Sequence, residues 1–234
     1  VRAIDWEIWT LAQHRSPEIM DFVDKWICIA PHIEKKLRAE ANFEGRLKLI
    51  RPGVNLEKFT LKETETDGFQ IGMVLGDMWW PKNHMGGLEI FNMLGTGGWK
   101  LHIRGQHEGG EYWPLMYEHY LDSRGIQDAV TLYGPVADMN EWYEQIDILL
   151  HPGMKESFSY AVAEAMAKGI RPVIYNFYGA EDIWPKKYLF NSVNEAEHML
   201  TDPSAYDPME FRDYIKDNYS IERMMEEYNK YLGT

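Results

Sequence analysis

HPGMKESFSYAVAEAMAKGIRPVIYN, residues 151–176, decides how the rest of the chain is read. An apolar strand runs into Pro152, a helix follows, and RPVIYN resumes an extended run. Phe158, Val162, Ala165 and Met166 recur at helical spacing, and Gly169 stands where a left-handed residue closes a helix. Two carboxylates do not fit a packing role: Glu156, where the helix is expected to begin, and Glu164, inside its small-residue run. Eight helical residues rise about 12 Å, so the pair cannot act on one atom. It suits the two ends of an extended ligand, with the free amides of Ser157, Phe158 and Ser159 facing a phosphate. Spacing alone also fits a plainer reading, with Glu156 as first-turn charge on the helix dipole and Glu164 on a solvated face.

The same rhythm continues on both sides. Candidate strands fall at 69–75, 100–105, 130–134, 147–152, 171–176 and 187–190, with helical patterns between most of them. That alternation implies a Rossmann-like parallel sheet with helices on both faces. Ligands bind such sheets at the carboxyl ends of the strands, near Gly76, Gly105, Gly134, His151 and Asn176. Upstream, 26–30 and 47–50 read as short strands, and Pro31 suits the first turn of a helix between them. The acidic run LKETETDG, 61–68, reads as a boundary. The expected division is 1–62, 63–205 and a C-terminal helical part, 206–234. Helices are expected at 208–218 and 221–232, the second capped by Ser220, with an apolar stripe of Ile221, Met224, Met225, Tyr228 and Leu232.

The 234 residues carry a formal net charge of −13, which argues against sequence-independent nucleic-acid binding. No apolar stretch reaches the roughly 20 residues of a spanning helix, and no signal segment opens the chain. Cys28, the one cysteine, lies in WICIA and reads as a buried thiol in a reducing, cytoplasmic setting. The eight histidines show no metal-ligand spacing, so no metal and no cofactor are expected. His84 and His107 fall on loops at the expected ligand end; Trp79 and Trp80 read as packing under the loop that carries Lys82.

The 151–176 run resembles the signature of the retaining family 4 glycosyltransferases, which have the GT-B fold. Glu156 and Glu164 match that family's Glu-x7-Glu, followed by Ala165, Met166, Ala167, Gly169, Pro172 and Val173. KLHIRGQ, VTLYGPVADMNEWYEQIDILLHP, RPGVNLEKF and YSIERMMEEYNKYL are similar to further family segments, so the resemblance covers most of 24–232. It implies Glu156 on donor-sugar hydroxyls, with the amides of Ser157, Phe158 and Ser159 beside it. It further implies Glu164 on the ribose and Lys82, in GDMWWPKNHMG, on the diphosphate. A cation there stabilises charge on the departing nucleotide. No Asp-x-Asp metal motif occurs.

The match is incomplete. Asp77 follows Gly76 where the family has arginine, and Arg104 is the candidate replacement. Ser157 and Ser159 stand where the family has glycine. Tyr178-Gly179 stands for Gly-Gly, which leaves Glu181 as the candidate counterpart of a family acid. Most of the acceptor domain has no counterpart, and no catalytic residue is assigned. The implied activity is transfer of a hexose from a nucleoside diphosphate sugar to an acceptor hydroxyl with anomeric retention, this chain being mainly the donor-binding half. The acceptor, whether saccharide, lipid-linked or protein, is not indicated. A non-catalytic nucleotide-sugar module and a GT-B epimerase or phosphorylase stay open.

Overall fold

The computed structural model describes residues 23–40, 42–43, 45–67, 69–77, 80–95, 97–106, 112–202 and 207–233. Six strands form one parallel sheet: β3 (Gln70–Asp77), β4 (Lys100–Gln106), β5 (Val130–Gly134), β6 (Ile148–His151), β7 (Arg171–Tyr175) and β8 (Leu189–Phe190). Their order is β5-β4-β3-β6-β7-β8. Two halves therefore wind outward from the centre, and the chain changes direction between β3 and β6. In doubly wound sheets that switch point opens a crevice beyond the carboxyl ends of the strands. β1 (Trp26–Cys28) and β2 (Leu47–Leu49) form a separate parallel pair, joined by α1 (Pro31–Glu40).

Strand side chains alternate between faces, so each face buries its own core. Ile71, Met73, Leu101, Ile103, Ile148 and Leu150 pack against α2 (His84–Met93), α3 (Tyr112–Arg124) and α6 (Val193–Thr201). Leu149 and Ile174 pack on the other face against α4 (Met139–Tyr143), α5 (Tyr160–Ala167) and α7 (Pro208–Tyr219). Helices therefore cover both faces, as expected. Trp26, Cys28, Ile33 and Leu37 join the second core, so the N-terminal strand–helix–strand segment rests on the α5–α7 side. Val54 bridges to Ser220, which caps α8 (Ile221–Leu232) by accepting from the Arg223 amide. Cys28 is buried, and burial pushes its thiol up to about 12, so it stays protonated at neutral pH.

Two local expectations need correction. α5 begins at Tyr160 and not at Glu156; Ser159 is its N-cap with φ 74. The cause is Phe158, whose buried ring packs 5.4 Å from Trp184 and 4.9 Å from Tyr219. Driving that ring inward turns the chain before the helix can start. β8 is two residues long, because Lys186–Tyr188 form a 3₁₀ turn. The acidic run is held to the sheet: Lys62 Nζ bonds Asp147 and the Ile146 carbonyl, and the amides of Glu63 and Thr64 donate to Glu144. The α8 stripe buries none of its described residues. Among the described residues no helix is long and apolar enough to cross a membrane.

Candidate functional site

Lys82 and Glu156 come from opposite sides of the switch point. Lys82 ends the 3₁₀ turn Trp80–Lys82 that follows β3, and Glu156 lies in the loop after β6. Lys82 Nζ is 2.5 Å from Glu156 Oε1, with side chains 25% and 12% exposed. His151 ends β6 with its Nε2 3.5 Å from the same oxygen. Burial lowers the His151 pKa to about 4, so the imidazole is neutral at pH 7 and Lys82 is the cation facing the carboxylate. Its Nε2 is buried and has no hydrogen-bond partner among the described residues.

The two loops are tied together. The Met154 amide donates to the Pro81 carbonyl at 2.8 Å, and Asn83 Nδ2 donates to the Pro152 carbonyl at 3.1 Å. The N-terminal segment packs beside this region: the His32 ring meets Tyr178 edge-on at 5.8 Å. It also lies against Gly179, where a Cβ would stand 2.2 Å from the ring. Only glycine allows that approach.

Glu164 sits further along, within α5. Tyr143 Oη lies 3.2 Å from its Oε2 and 3.1 Å from the Ala161 carbonyl oxygen. Burial raises the Glu164 pKa, while Tyr143, Lys58 and Arg104 pull it back down. A carboxylate kept in a partly desolvated crevice, with cations near, is a candidate for ligand contact. Between the two glutamates run Ser157, Phe158 and Ser159, whose amides donate to no described acceptor. They precede the helix, so they form a turn and not its first coil.

The remaining candidates scatter. Arg104 lies near the end of β4, paired with Val74 on β3 and Gly134 on β5. Its charge acts on Glu164 and Tyr143, whereas that of Lys82 acts on His151 beside Glu156. Gly134 closes β5 with φ 63. Asp77 closes β3 in register with Gln106. His84 is buried and its ring stacks on Tyr117 at 5.5 Å. Glu181 is exposed, paired with Lys186 at 2.8 Å and accepting from Asn176. Trp79 and His107 lie outside the described residues, as does residues 1–22 of the expected N-terminal part. Among the described residues no three His, Cys, Asp or Glu side chains gather to hold a metal ion.

Sequence reading missed His151, His32 and Tyr143. His151 had a visible signal, a polar residue closing the apolar strand ILLH. His32 and Tyr143 gave none, since their partners lie far away in the chain.

Solved structures share this architecture at low identity. A glycosyltransferase from Rickettsia africae superposes with a TM-score of 0.74 at 16% identity, over 99% of this chain and 69% of its own. TarM of S. aureus, in a complex with UDP, gives 0.76 at 16%, over 93% and 46%. HepE of Anabaena, in complex with UDP, gives 0.76 at 14%, over 95% and 69%. The chain thus spans between just under half and about two thirds of these relatives' lengths. No curated protein matches it. Residues 70–205, more than half of the chain, match the family described as Glycosyl transferases group 1. The fold is that of GT-B glycosyltransferases, and the chain belongs to the glycosyl transferases group 1 family.

Proposed function

We propose that this chain is the donor-binding half of a retaining hexosyltransferase, moving a sugar from a nucleoside diphosphate sugar to an acceptor hydroxyl. The observation that carries the reading is the meeting of Lys82 and Glu156 at the switch point, 2.5 Å apart, with Glu164 partly buried further along the same segment. Lys82 leaves Glu156 for the diphosphate and neutralises charge as the nucleotide departs. Glu156 then accepts from sugar hydroxyls, and the amides of Ser157, Phe158 and Ser159 lie beside the phosphate. Glu164 accepts from ribose hydroxyls, held in place by Tyr143. Complexes of TarM and HepE with UDP support a uridine-type donor site in this architecture. A reducing, cytoplasmic setting accords with Cys28 being a free, buried thiol.

Asp77 favours a second reading, a module that holds the donor without transferring it, because an acid at that strand end opposes a diphosphate. Calorimetric titration with UDP-, GDP- and ADP-sugars tests binding. Transfer or hydrolysis with the full-length chain, followed by NMR assignment of the product anomer, tests the rest. Tight binding with a retained anomer supports the enzyme; binding without turnover supports the module; no binding removes both.

A further inference from the structure

Lys82 and Arg104 act on different carboxylates, with Lys58 acting beside Arg104 on Glu164. Lys82 lies on Glu156 at the diphosphate end. Arg104 lies on the other side, on the sheet face opposite Ile103, where its charge acts on Glu164 and Tyr143. This separation removes Arg104 from the position that the arginine missing at Asp77 would fill.

Glycines lie on both strands beside Arg104. Its β5 partner Gly134 has φ 63 and its β3 neighbour Gly76 has φ 57, and no described atom stands within 4 Å of a Cβ built at either. β5 thus ends in flat backbone and β3 carries a glycine one residue before its end at Asp77, on either side of the strand that carries Arg104. Its Nε is buried without a hydrogen-bond partner among the described residues. A buried guanidinium donor left unpaired is costly, and a ligand acceptor removes that cost.

Which acceptor follows from hydrogen-bond inventory. An arginine only donates. At this end of a nucleotide the ribose hydroxyls have Glu164 to donate to, with one of its oxygens already taken by Tyr143. The acceptors that remain belong to the base. Uracil and guanine present carbonyl oxygens; adenine accepts only at ring nitrogens, and its amino hydrogens oppose those of the guanidinium, so it pairs less well with an arginine.

We propose that Arg104 is a specificity-determining residue that reads the nucleobase, selecting a carbonyl-bearing base over adenine. The inference rests on the donor-site reading above. The test is titration of the intact chain and its Arg104→Gln and Arg104→Lys variants with UDP, GDP and ADP, after circular dichroism has shown native folding. Glutamine pairs well with adenine, and lysine keeps the charge but lacks the planar fork. The intact chain should prefer UDP or GDP to ADP by at least about tenfold. Either variant should reduce that ratio by about tenfold, and Arg104→Gln more than Arg104→Lys. Equal weakening of all three nucleotides would mean that Arg104 acts only through Glu164, and it overturns the inference. An unchanged ratio overturns it as well. Glu164→Ala separates the two levels: if it weakens all three nucleotides while the Arg104 ratio stays fixed, the donor site stands and only the base reader falls. If the intact chain binds none of them, both fall.

Discussion

The two edges of the sheet each carry a lysine–carboxylate pair, and they are finished differently. At the amino edge, Lys62 and Asp147 meet at 2.8 Å with side chains 9% and 15% exposed. Asp147 also accepts from Thr66 and from the Gln70 amide, and Lys62 also donates to the Ile146 carbonyl. A cleft of about 690 Å³ opens there, yet the buried cations around it are spent: Lys168 on Glu144 and Asn140, Arg171 on the Asp202 and Met199 carbonyls. At the carboxyl edge, Lys82 and Glu156 share one bond, and among the described residues neither His151 Nε2 nor Arg104 Nε has a hydrogen-bond partner. Cavity size points to the first edge. Unspent donors and acceptors point to the second, and a ligand of matching chemistry gains more from unspent groups than from room.

The contrast is sharpest when each pair is broken. Asp147→Ala leaves Lys62 buried without its counter-charge, and stability should fall by about 3–5 kcal/mol in denaturant unfolding. Lys82→Ala should change stability far less, while nucleoside diphosphate affinity falls by about 1.5–3 kcal/mol in calorimetry. If the two variants destabilise the fold equally, the distinction between a structural and a ligand-binding pair is lost.

Smaller effects come from the turn between the glutamates. Ser159 holds φ 74 without a side-chain capping bond, a conformation that costs an ordinary residue about 1–2 kcal/mol. Ser159→Gly should raise stability by about 1 kcal/mol, and a loss on thermal unfolding would contradict the strain. Glu164→Gln should show its effect only as pH changes. Burial raises the Glu164 pKa above 4.5, so the carboxylate's folded state is most stable while protonated, below 4.5. Wild-type stability relative to the glutamine variant therefore falls as pH rises through the folded pKa. The variant should be the more stable at pH 7, with the difference closing towards pH 4. A difference independent of pH would rule out burial of charge as the cause.

Much of this was legible in the chain. Strands β3 to β7 are short β-branched and apolar runs bracketed by glycine or proline, and their spacing leaves room for little but crossover helices. Ser220 and Gly169 mark their helix ends because caps are local chemistry. The start of α5 was not legible, because Phe158 is drawn into a core built by Trp184 and Tyr219, 26 and 61 residues downstream. Glu156 therefore looked like first-turn charge but sits in a loop. The contacts of the two glutamates were hidden for the same reason: Tyr143 meets Glu164, and Lys82 and His151 meet Glu156, only when the sheet forms. Local pattern gave element type, and tertiary packing decided where the side chains meet.

The central claim is that the carboxyl edge binds one nucleotide at two ends, Lys82 on the diphosphate and Glu164 on the ribose. Its most direct test is titration of the intact chain, Lys82→Ala and Glu164→Ala with UDP and with uridine, followed by NMR. Lys82→Ala should weaken UDP by about tenfold or more and leave uridine binding within about twofold, whereas Glu164→Ala should weaken both by a similar factor. Equal losses for UDP and uridine in Lys82→Ala, or an unchanged uridine affinity in Glu164→Ala, would contradict the account.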